Sequence, residues 1–229
     1  MKKILYGFIF FLIIVLVPPV HAQKAYVGVL GGSHFADLDI VFKDEPPVSY
    51  DIKSKTLFGV GGYIGLSLNK YLSVQIEPMF LKKGGLFTQP PGPEISIRSS
   101  QIELPIILKA GIGENIRPYI LGGVFASFIL DATIETEING LLLKGDLTKI
   151  LEDTEYGILF GAGVRFPAWI GAAFIEGRYS LGLSNINIGG YMNLTYNNVV
   201  VDGFQTDRQD NIKTMGFQLM IGYQLPIEF

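Results

Sequence analysis

The segment from residue 212 to residue 229 alternates between two kinds of side chain. Gly216, Gln218, Gly222 and Gln224 occupy even positions and are small or polar. The odd positions are large and apolar, namely Phe217, Leu219, Ile221, Tyr223, Leu225, Ile227 and Phe229. A period of two residues indicates a β-strand with one apolar face. A strand of this kind that ends on an aromatic residue is typical of a membrane β-barrel that closes on itself.

The first 22 residues have the three parts of a secretory signal peptide. Two lysines follow Met1, an apolar run extends from Ile4 to Val17, and the segment ends in Val20-His21-Ala22. This pattern predicts cleavage after Ala22, so that residues 23–229 form a single barrel domain. The alternative is an uncleaved membrane anchor. The apolar run is short for a span of ~20 residues, and two prolines follow it, so cleavage is favoured.

The net charge and the cysteine count limit the kinds of partner and of stabilisation that this chain can have. The net charge of −3 gives no reason to expect a nucleic-acid partner, and the absence of cysteine excludes disulfides as a source of stability. The longest later apolar stretch, from Tyr119 to Leu130, is interrupted by Gly122-Gly123. It is too short for a membrane helix, which needs ~20 residues, but long enough for a tilted strand, which needs ~9–11. A hydrogen-bonded barrel in lipid would supply the stability.

Turn signals divide the chain into strand-like runs at residues 24–32, 56–68, 72–82, 95–111, 117–132, 154–166, 171–183 and from 212 onward. The connections alternate between short ones, at 69–71, 112–116 and 167–170, and long ones, at 34–55, 83–94, 133–153 and 184–211. Outer-membrane barrels show this alternation, with short periplasmic turns and longer outer loops. We therefore predict an all-β fold, an eight-stranded antiparallel up-and-down transmembrane β-barrel, with both termini in the periplasm.

The faces of these runs fit a barrel in lipid. In the second run Phe58, Val60 and Ile64 share one face, and Gly59 and Gly61 lie on the other. The fifth run is apolar on both faces, so the pattern does not assign its inner face. A soluble lipocalin-like barrel would need the opposite orientation. A girdle of aromatic residues is predicted near the short turns, although aromatic residues also simply flank turns: Tyr71, Tyr119, Phe166, Trp169 and Phe229.

Several strands resemble those of the PorT-like outer-membrane β-barrel family. The resemblance lies in Val74 to Gly84, with its Gln75-x-Glu77 and Lys82-Lys83-Gly84. It continues in order through Ile102-Glu103-Leu104-Pro105, Arg117-Pro118-Tyr119, Gly161-Ala162-Gly163 and Glu176-Gly177-Arg178-Tyr179. Pro78 departs from the family pattern, which has an aliphatic residue there. The resemblance implies an outer membrane of the Bacteroidetes kind. It does not imply the secretion role of the founding member, since most members have no assigned function.

Six charged residues fall on predicted inner faces, three acidic and three basic: Glu77, Glu103, Lys109, Arg165, Glu176 and Arg178. A Lys or Arg facing lipid near the midplane would cost ~2–4 kcal/mol, whereas charges in a narrow lumen can pair. We therefore predict a salt-bridged plug that blocks free passage. A proton or ion path and a catalytic carboxylate pair are the alternatives.

No catalytic, cofactor or metal site is predicted. Ser33 and His34 are adjacent, but neighbouring strand residues point to opposite faces, so we interpret His34 as an ordinary polar loop residue. Two acidic groups could in principle bind a loop calcium ion, but solvated loop charge is the favoured interpretation: Asp37 with Asp39, and Glu152 with Asp153 and Glu155.

Basic residues are predicted at the outer strand ends and adjacent loops: Lys53, Lys55, Lys82, Lys83, Arg98 and Lys213. Such a ring could contact lipopolysaccharide phosphates. The alternative is that these charges simply keep the loops soluble.

The closing strand also resembles the C-terminal signal that the barrel-assembly machinery recognises, through Gly222, Tyr223, Leu225, Ile227 and Phe229. Met220 stands where that signal has a polar residue. Taken together, the sequence predicts a non-enzymatic barrel that displays long loops for adhesion, envelope integrity or partner contacts. The alternatives are an accessory component of a protein-secretion apparatus, a narrow pore or transporter, and an outer-membrane lipid enzyme.

Overall fold

The computed structural model describes residues 24–41, 51–88, 93–138, 140–197, 199–207 and 209–227. The predicted signal peptide and Phe229 lie outside these residues. The strands are β1 (Lys24–Val41), β2 (Asp51–Ser67), β3 (Leu72–Ile76), β4 (Met79–Thr88), β5 (Glu94–Gly111), β6 (Arg117–Ile138), β7 (Leu141–Asp146), β8 (Thr154–Ala168), β9 (Gly171–Gly182), β10 (Gly190–Tyr196), β11 (Val199–Thr206) and β12 (Asn211–Ile227). A 3-10 helix spans Thr148–Ile150.

The strands close into a ring. Its order is β1, β2, the β3–β4 pair, β5, β6, β8, β9 and β12, and β12 pairs back onto β1. Every neighbouring pair is antiparallel. The predicted all-β antiparallel fold is confirmed, with eight strand positions in the ring. The strand count requires correction, because the described residues contain twelve strands. None of their helical segments is long and apolar enough to cross a membrane.

The additional strands have two origins. Pro78 lacks the N–H group that a continuous strand would donate, and it separates β3 from β4, which both pair with β2 and β5. The other three strands lie within stretches predicted as long loops. β7 pairs with the far end of β6, β10 pairs with β7, and β11 pairs with β10. They form a side sheet that extends β6 outside the ring.

The ring has two distinct ends. At the turn end, the connections 68–71, 112–116 and 169–170 are short. At the loop end the strands run further than predicted, so that the connection between β1 and β2 is reduced to 42–50 and the one between β4 and β5 to 89–93. β1 was expected to end at Gly32, but its register with β12 continues without interruption from Ala25↔Ile227 to Val41↔Asn211. His34 therefore lies in a strand, and its interpretation as a loop residue was wrong.

The predicted strand faces are confirmed between the two ends. Val60, Ile64 and Ile106 are about half exposed and point outward, as an apolar belt requires. β6, which the sequence left unassigned, buries Tyr119 and Phe125 inside the ring. This arrangement is the reverse of the one that a soluble lipocalin-like barrel needs.

A bulge in β6 changes which face points inward. Ser100 pairs with Asp131 and Gln101 pairs with Ile129, so Leu130 has no partner opposite it. Because side chains alternate with a period of two, one extra residue exchanges the two faces beyond it. Before the bulge the odd residues of β6 point inward. After it, the even residues Ala132 and Ile134 are buried inside.

Two belts of exposed aromatic side chains mark the limits of the apolar surface. Tyr71, Phe166 and Trp169 form the belt at the turn end. The loop-end belt contains Phe35, Phe58, Phe128, Tyr156 and Phe217. On β8 the stretch from Tyr156 to Phe166 spans ~33 Å of strand. At a tilt of ~40° this gives roughly 25 Å, which is the height of the apolar band of an outer-membrane barrel.

Tyr119 does not join the turn-end belt. The short turn before it predicts a place in this belt, but Tyr119 is only 9% exposed and lies within the ring. Its odd position on β6 places it on the inward face. There its hydroxyl donates a hydrogen bond to Glu176.

Candidate functional site

Arg178 holds two carboxylates together in the middle of the lumen. It lies on the inward face of β9, and Glu77 lies at the break between β3 and β4. The guanidinium donates to both oxygens of Glu77, at 2.5 and 2.9 Å, and also bonds to Glu176, two residues away on the same face of β9. All three side chains are essentially fully buried. This bidentate geometry is the strong form of the arginine–carboxylate pair.

Other lumen side chains complete this layer. Lys109 Nζ lies 3.0 Å from Glu176 Oε2, and the Tyr119 hydroxyl donates to the same oxygen at 2.6 Å. Gln75 donates to Glu77. We call Glu77, Lys109, Tyr119, Glu176 and Arg178 the turn-side layer. Every carboxylate in it has a cationic partner, so the group can be buried without an isolated charge.

A second layer crosses the lumen nearer the loop end. Lys83 Nζ lies 2.8 Å from Glu103 Oε2 and 2.9 Å from Glu155 Oε2, and all three side chains are at most 2% exposed. Ser127 donates to Glu103 at 3.1 Å, and Thr214 donates to Glu155. We call these five residues the loop-side layer.

Two predictions are corrected by the loop-side layer. Lys83 was expected on an outer basic rim, but the odd residues of β4 continue the inward face of β3, so Lys83 points into the lumen. Glu155 was grouped with Glu152 and Asp153 as solvated charge. β8 begins at Thr154, as predicted, and Glu155 is fully buried on its inward face. Extending the alternation of the third predicted strand by one residue would have found Lys83.

The six predicted lumen charges do not all meet. Four lie in the turn-side layer and Glu103 lies in the loop-side layer. Arg165 stands apart at the turn end, where it lines a small opening with Tyr26 and Arg117. Within the described part of the chain, no carboxylate forms an ion pair with Arg165. Arg165 lies next to Phe166 at the turn-end belt. Its side chain is therefore too close to the membrane boundary to contact either layer.

His34 and Ser33 lie on opposite faces of β1. His34 is fully buried, and its Nδ1 lies 2.9 Å from the carbonyl oxygen of Lys82. Ser33 is partly exposed on the other face of β1.

Asp37 accepts hydrogen bonds from the Leu38 amide and the Ser54 hydroxyl. The residues that the structure describes contain no cluster of three or more potential metal ligands of the His, Cys, Asp or Glu type.

The remaining predicted rim residues do not form one ring. Lys55 donates to Ser96 at 2.5 Å, and Arg98 and Lys144 bind the two oxygens of Glu135 at 3.0 and 3.1 Å. The hydrogen bond from Lys144, assisted by the charges of Arg98 and Lys55, lowers the pKa of Glu135 below its usual value. This group lies on one side of the loop end.

The other rim residues are dispersed. Lys53 lies exposed on β2. Lys82 Nζ lies 5.0 Å from the centre of the Phe58 ring on the outer surface. Lys213 faces Asp39 in the register of β1 and β12.

A cavity of about 450 Å³ lies beyond the loop-side layer, inside the loop end. Thr214 belongs to both, because its hydroxyl binds Glu155 and its side chain lines the cavity. We call this cavity the loop-end chamber. The sequence did not predict this cavity, because most of its lining residues come from the four segments that were expected to be loops. Its apolar lining residues are Leu38, Ile40, Phe87, Ile95, Ile97, Ile134, Leu147, Ile150, Leu151, Ile186, Met192, Leu194 and Ile212.

A closed antiparallel ring with an apolar belt outside and paired charges inside defines a membrane-spanning β-barrel. The profile of the outer membrane protein beta-barrel domain family matches residues 21–187, which is more than half of the chain. The chain therefore belongs to this family, and it is a protein of the outer membrane. No curated protein matches the sequence.

Several solved outer-membrane proteins are similar in structure. The outer membrane protease OmpT from Escherichia coli is 12% identical with a TM-score of 0.47, covering 91% of this chain and 99% of that chain. OprG from Pseudomonas aeruginosa is 12% identical with a TM-score of 0.48, covering 90% and 98%. Ail, the attachment invasion locus protein of Yersinia pestis, is 13% identical with a TM-score of 0.42, covering 88% and 99%.

Proposed function

We propose that this chain is a non-enzymatic, non-conducting outer-membrane barrel that displays its loop end for adhesion, envelope integrity or partner contacts. The observation that carries the proposal is the pair of charged layers across the lumen. Arg178 and Lys83 are each buried with two carboxylates, in two successive layers. Because every carboxylate in the two layers is paired with a buried cation and hydrogen-bonded, an ion would have to break these contacts to pass.

The orientation and export belong to the same proposal. A signal peptide is removed after Ala22, and the loop end faces the cell exterior. In this orientation both ends of the ring face the periplasm, because Ala25 pairs with Ile227 at the turn end. Gly222, Tyr223, Leu225 and Ile227 lie on β12, where the barrel-assembly machinery would recognise them before the ring closes.

The β10–β11 hairpin supports the display role. It is not one of the eight strand positions of the ring. Its Met192 lines the loop-end chamber, whereas Tyr191, Val199 and Val201 are each more than half exposed. β11 pairs only with β10 among the described strands. An exposed edge strand with apolar side chains is a surface suited to strand addition by a partner protein.

The role as an accessory secretion component remains the alternative, and it rests on the PorT-like strand motifs and the Bacteroidetes type of outer membrane that they imply. The same hairpin would then dock a secretion partner. The enzyme alternative has the least support, because His34 is buried in the lumen and Ser33 faces away from it.

A planar-bilayer recording tests the closed lumen. The purified barrel should show no steady conductance above the leak of the bare bilayer, because the two charged layers block the path. The double variant E77Q/R178M removes the central pair without leaving a net charge, and it should raise the frequency of brief openings. Stable open steps in the unmodified protein would instead favour the pore.

A second role, lipopolysaccharide contact, is favoured by the basic group of Lys55, Arg98 and Lys144 at the loop end. The double variant K55Q/R98Q should retain less lipopolysaccharide per purified barrel, since each basic residue near an anionic surface contributes ~1 kcal/mol. Lys24→Gln, exposed at the turn end, is the matched control and should leave retention unchanged. Equal retention in all three proteins would remove this role.

A further inference from the structure

We propose that the loop-end chamber is a binding site for a neutral, hydrocarbon-like small molecule. This inference goes beyond the proposed display function and does not depend on whether the lumen conducts. The first observation behind it concerns the two faces of the ring strands. At the loop-end aromatic belt the inward face changes from polar to apolar, and the outward face changes from apolar to polar. Below the belt, buried polar side chains such as His34, Gln101 and Gln218 point inward, and aliphatic side chains point outward.

Above the belt the pattern is reversed. Leu38 on β1, Ile97 on β5 and Ile134 on β6 point inward. The residues that alternate with them on the outer face are polar or charged: Asp37, Asp39, Arg98, Asp131, Glu135 and Lys213. The β6 bulge at Leu130 is part of this exchange, because it turns the even residues of β6 inward. In these ring strands the loop end therefore has an apolar inner face and a polar outer face.

The second observation is that this interior is not filled. Protein cores are close-packed, and voids larger than a water molecule are rare in them. Here an apolar cluster that includes Ala132, Leu147, Ile150 and Met192 surrounds a space of about 450 Å³. Small-molecule sites usually measure about 300–1,000 Å³, and an engineered apolar cavity of about 150 Å³ already binds benzene. A packed core alone does not account for such a space.

The polar groups of the lining define the ligand further. Thr214 and Ser99 form the floor, and both are already hydrogen-bonded, to Glu155 and Gln101. Thr136 donates to the carbonyl of Glu94. These groups are engaged by the protein, so they do not call for a polar ligand.

On the far side of the lining, Asn187 is likewise hydrogen-bonded within the protein, and Gln205 is the other amide side chain there. The Asn187 amide donates to the carbonyls of Asp207 and Asp210 and accepts from the Gly189 amide. None of the described lining residues is Lys, Arg or His, and Asp210 is the charged residue among them. The chamber therefore disfavours a carboxylate or phosphate and favours an uncharged alkyl or alkylaryl group.

The experiment is photolabelling of the full barrel in lipid nanodiscs with a neutral dodecyl diazirine, followed by peptide mapping. We expect saturable labelling of the segments around residues 147–151 and 186–194. Excess dodecane should displace it, and dodecanoate should not. Labelling confined to the lipid-facing belt, or unchanged by dodecane, would show only partition into the bilayer and overturn the proposal. Displacement by dodecanoate as effective as by dodecane would overturn the neutral character.

Matched variants locate the site. Leu147→Trp fills the chamber and should reduce the saturable labelling about tenfold, equivalent to ~1.4 kcal/mol of binding free energy. Leu142→Trp makes the same change at an exposed position of β7 and should have no effect. Ile150→Phe is a smaller filling change for the case in which Leu147→Trp does not fold. Should neither fold, displacement in the unmodified barrel still decides the question.

Discussion

Replacing Arg178 by methionine should lower the free energy of unfolding by about 3–5 kcal/mol, which is the usual effect of removing one partner from a buried ion pair. Glu77 would lose its cationic partner, and Glu176 would keep only Lys109. Methionine fills much of the arginine volume, so the loss would come from the unpaired charge rather than from an empty space. Urea unfolding in lipid vesicles, followed by gel mobility, measures the change.

Two controls separate charge from packing. In E77Q/R178M the carboxylate that depends most on Arg178 is neutralised, so the double variant should be more stable than R178M alone. Arg98→Met breaks an ion pair of which the arginine is 46% exposed, and it should cost no more than about 1 kcal/mol. An R178M barrel as stable as the unmodified one would mean that the turn-side layer does not carry the stability assigned to it.

Replacing Lys83 by methionine should destabilise the barrel by about 3–5 kcal/mol for the same reason, because Glu103 and Glu155 would face each other without a cation. The neighbouring change, Lys82→Met, should be nearly neutral. Lys82 lies on the outer surface against the Phe58 ring, and methionine suits that apolar setting. The pair makes identical substitutions at adjacent positions, and thermal gel-shift midpoints compare them directly.

The contrast between these two lysines decides the inward face of β4. If both variants were equally mild, Lys83 would lie outside, as the hypothesis of a basic rim predicts. If both were equally severe, the effect would belong to β4 as a whole rather than to the loop-side layer.

Much of the ring was accessible from the sequence because its signal is periodic. Strands in lipid must alternate, so Phe58, Val60 and Ile64 identified β2, and Glu176 and Arg178 identified the lumen face of β9. The charges that meet in the turn-side layer followed from that alternation alone, since any strand residue in phase with a charged neighbour must share its face.

The predictions that were wrong concern segments where the alternation of side chains ends or is shifted by a bulge. The bulge at Leu130 exchanges the faces of β6, and no residue type marks it. His34 and Lys83 lie beyond the predicted strand ends. β1 continues past Gly32 by pairing with β12, which is far away in sequence, and β4 continues past Lys82 by pairing with the neighbouring strand β5. β7, β10 and β11 pair mainly with one another and with the end of β6, so their place depended on tertiary contacts that a local pattern does not contain.

The pairing of β1 with β12 also bears on how the ring forms. It joins Ala25 to Ile227, so the residues paired here are further apart in sequence than those of any other described strand pair. Folding slows as contacts become less local, because the entropy of closing a long loop is lost before the contact is gained. The other neighbouring pairs of the ring join strands that are closer in sequence, so they can form earlier. Closure is therefore expected to be the last and slowest step, and until then β1 and β12 remain two open edges.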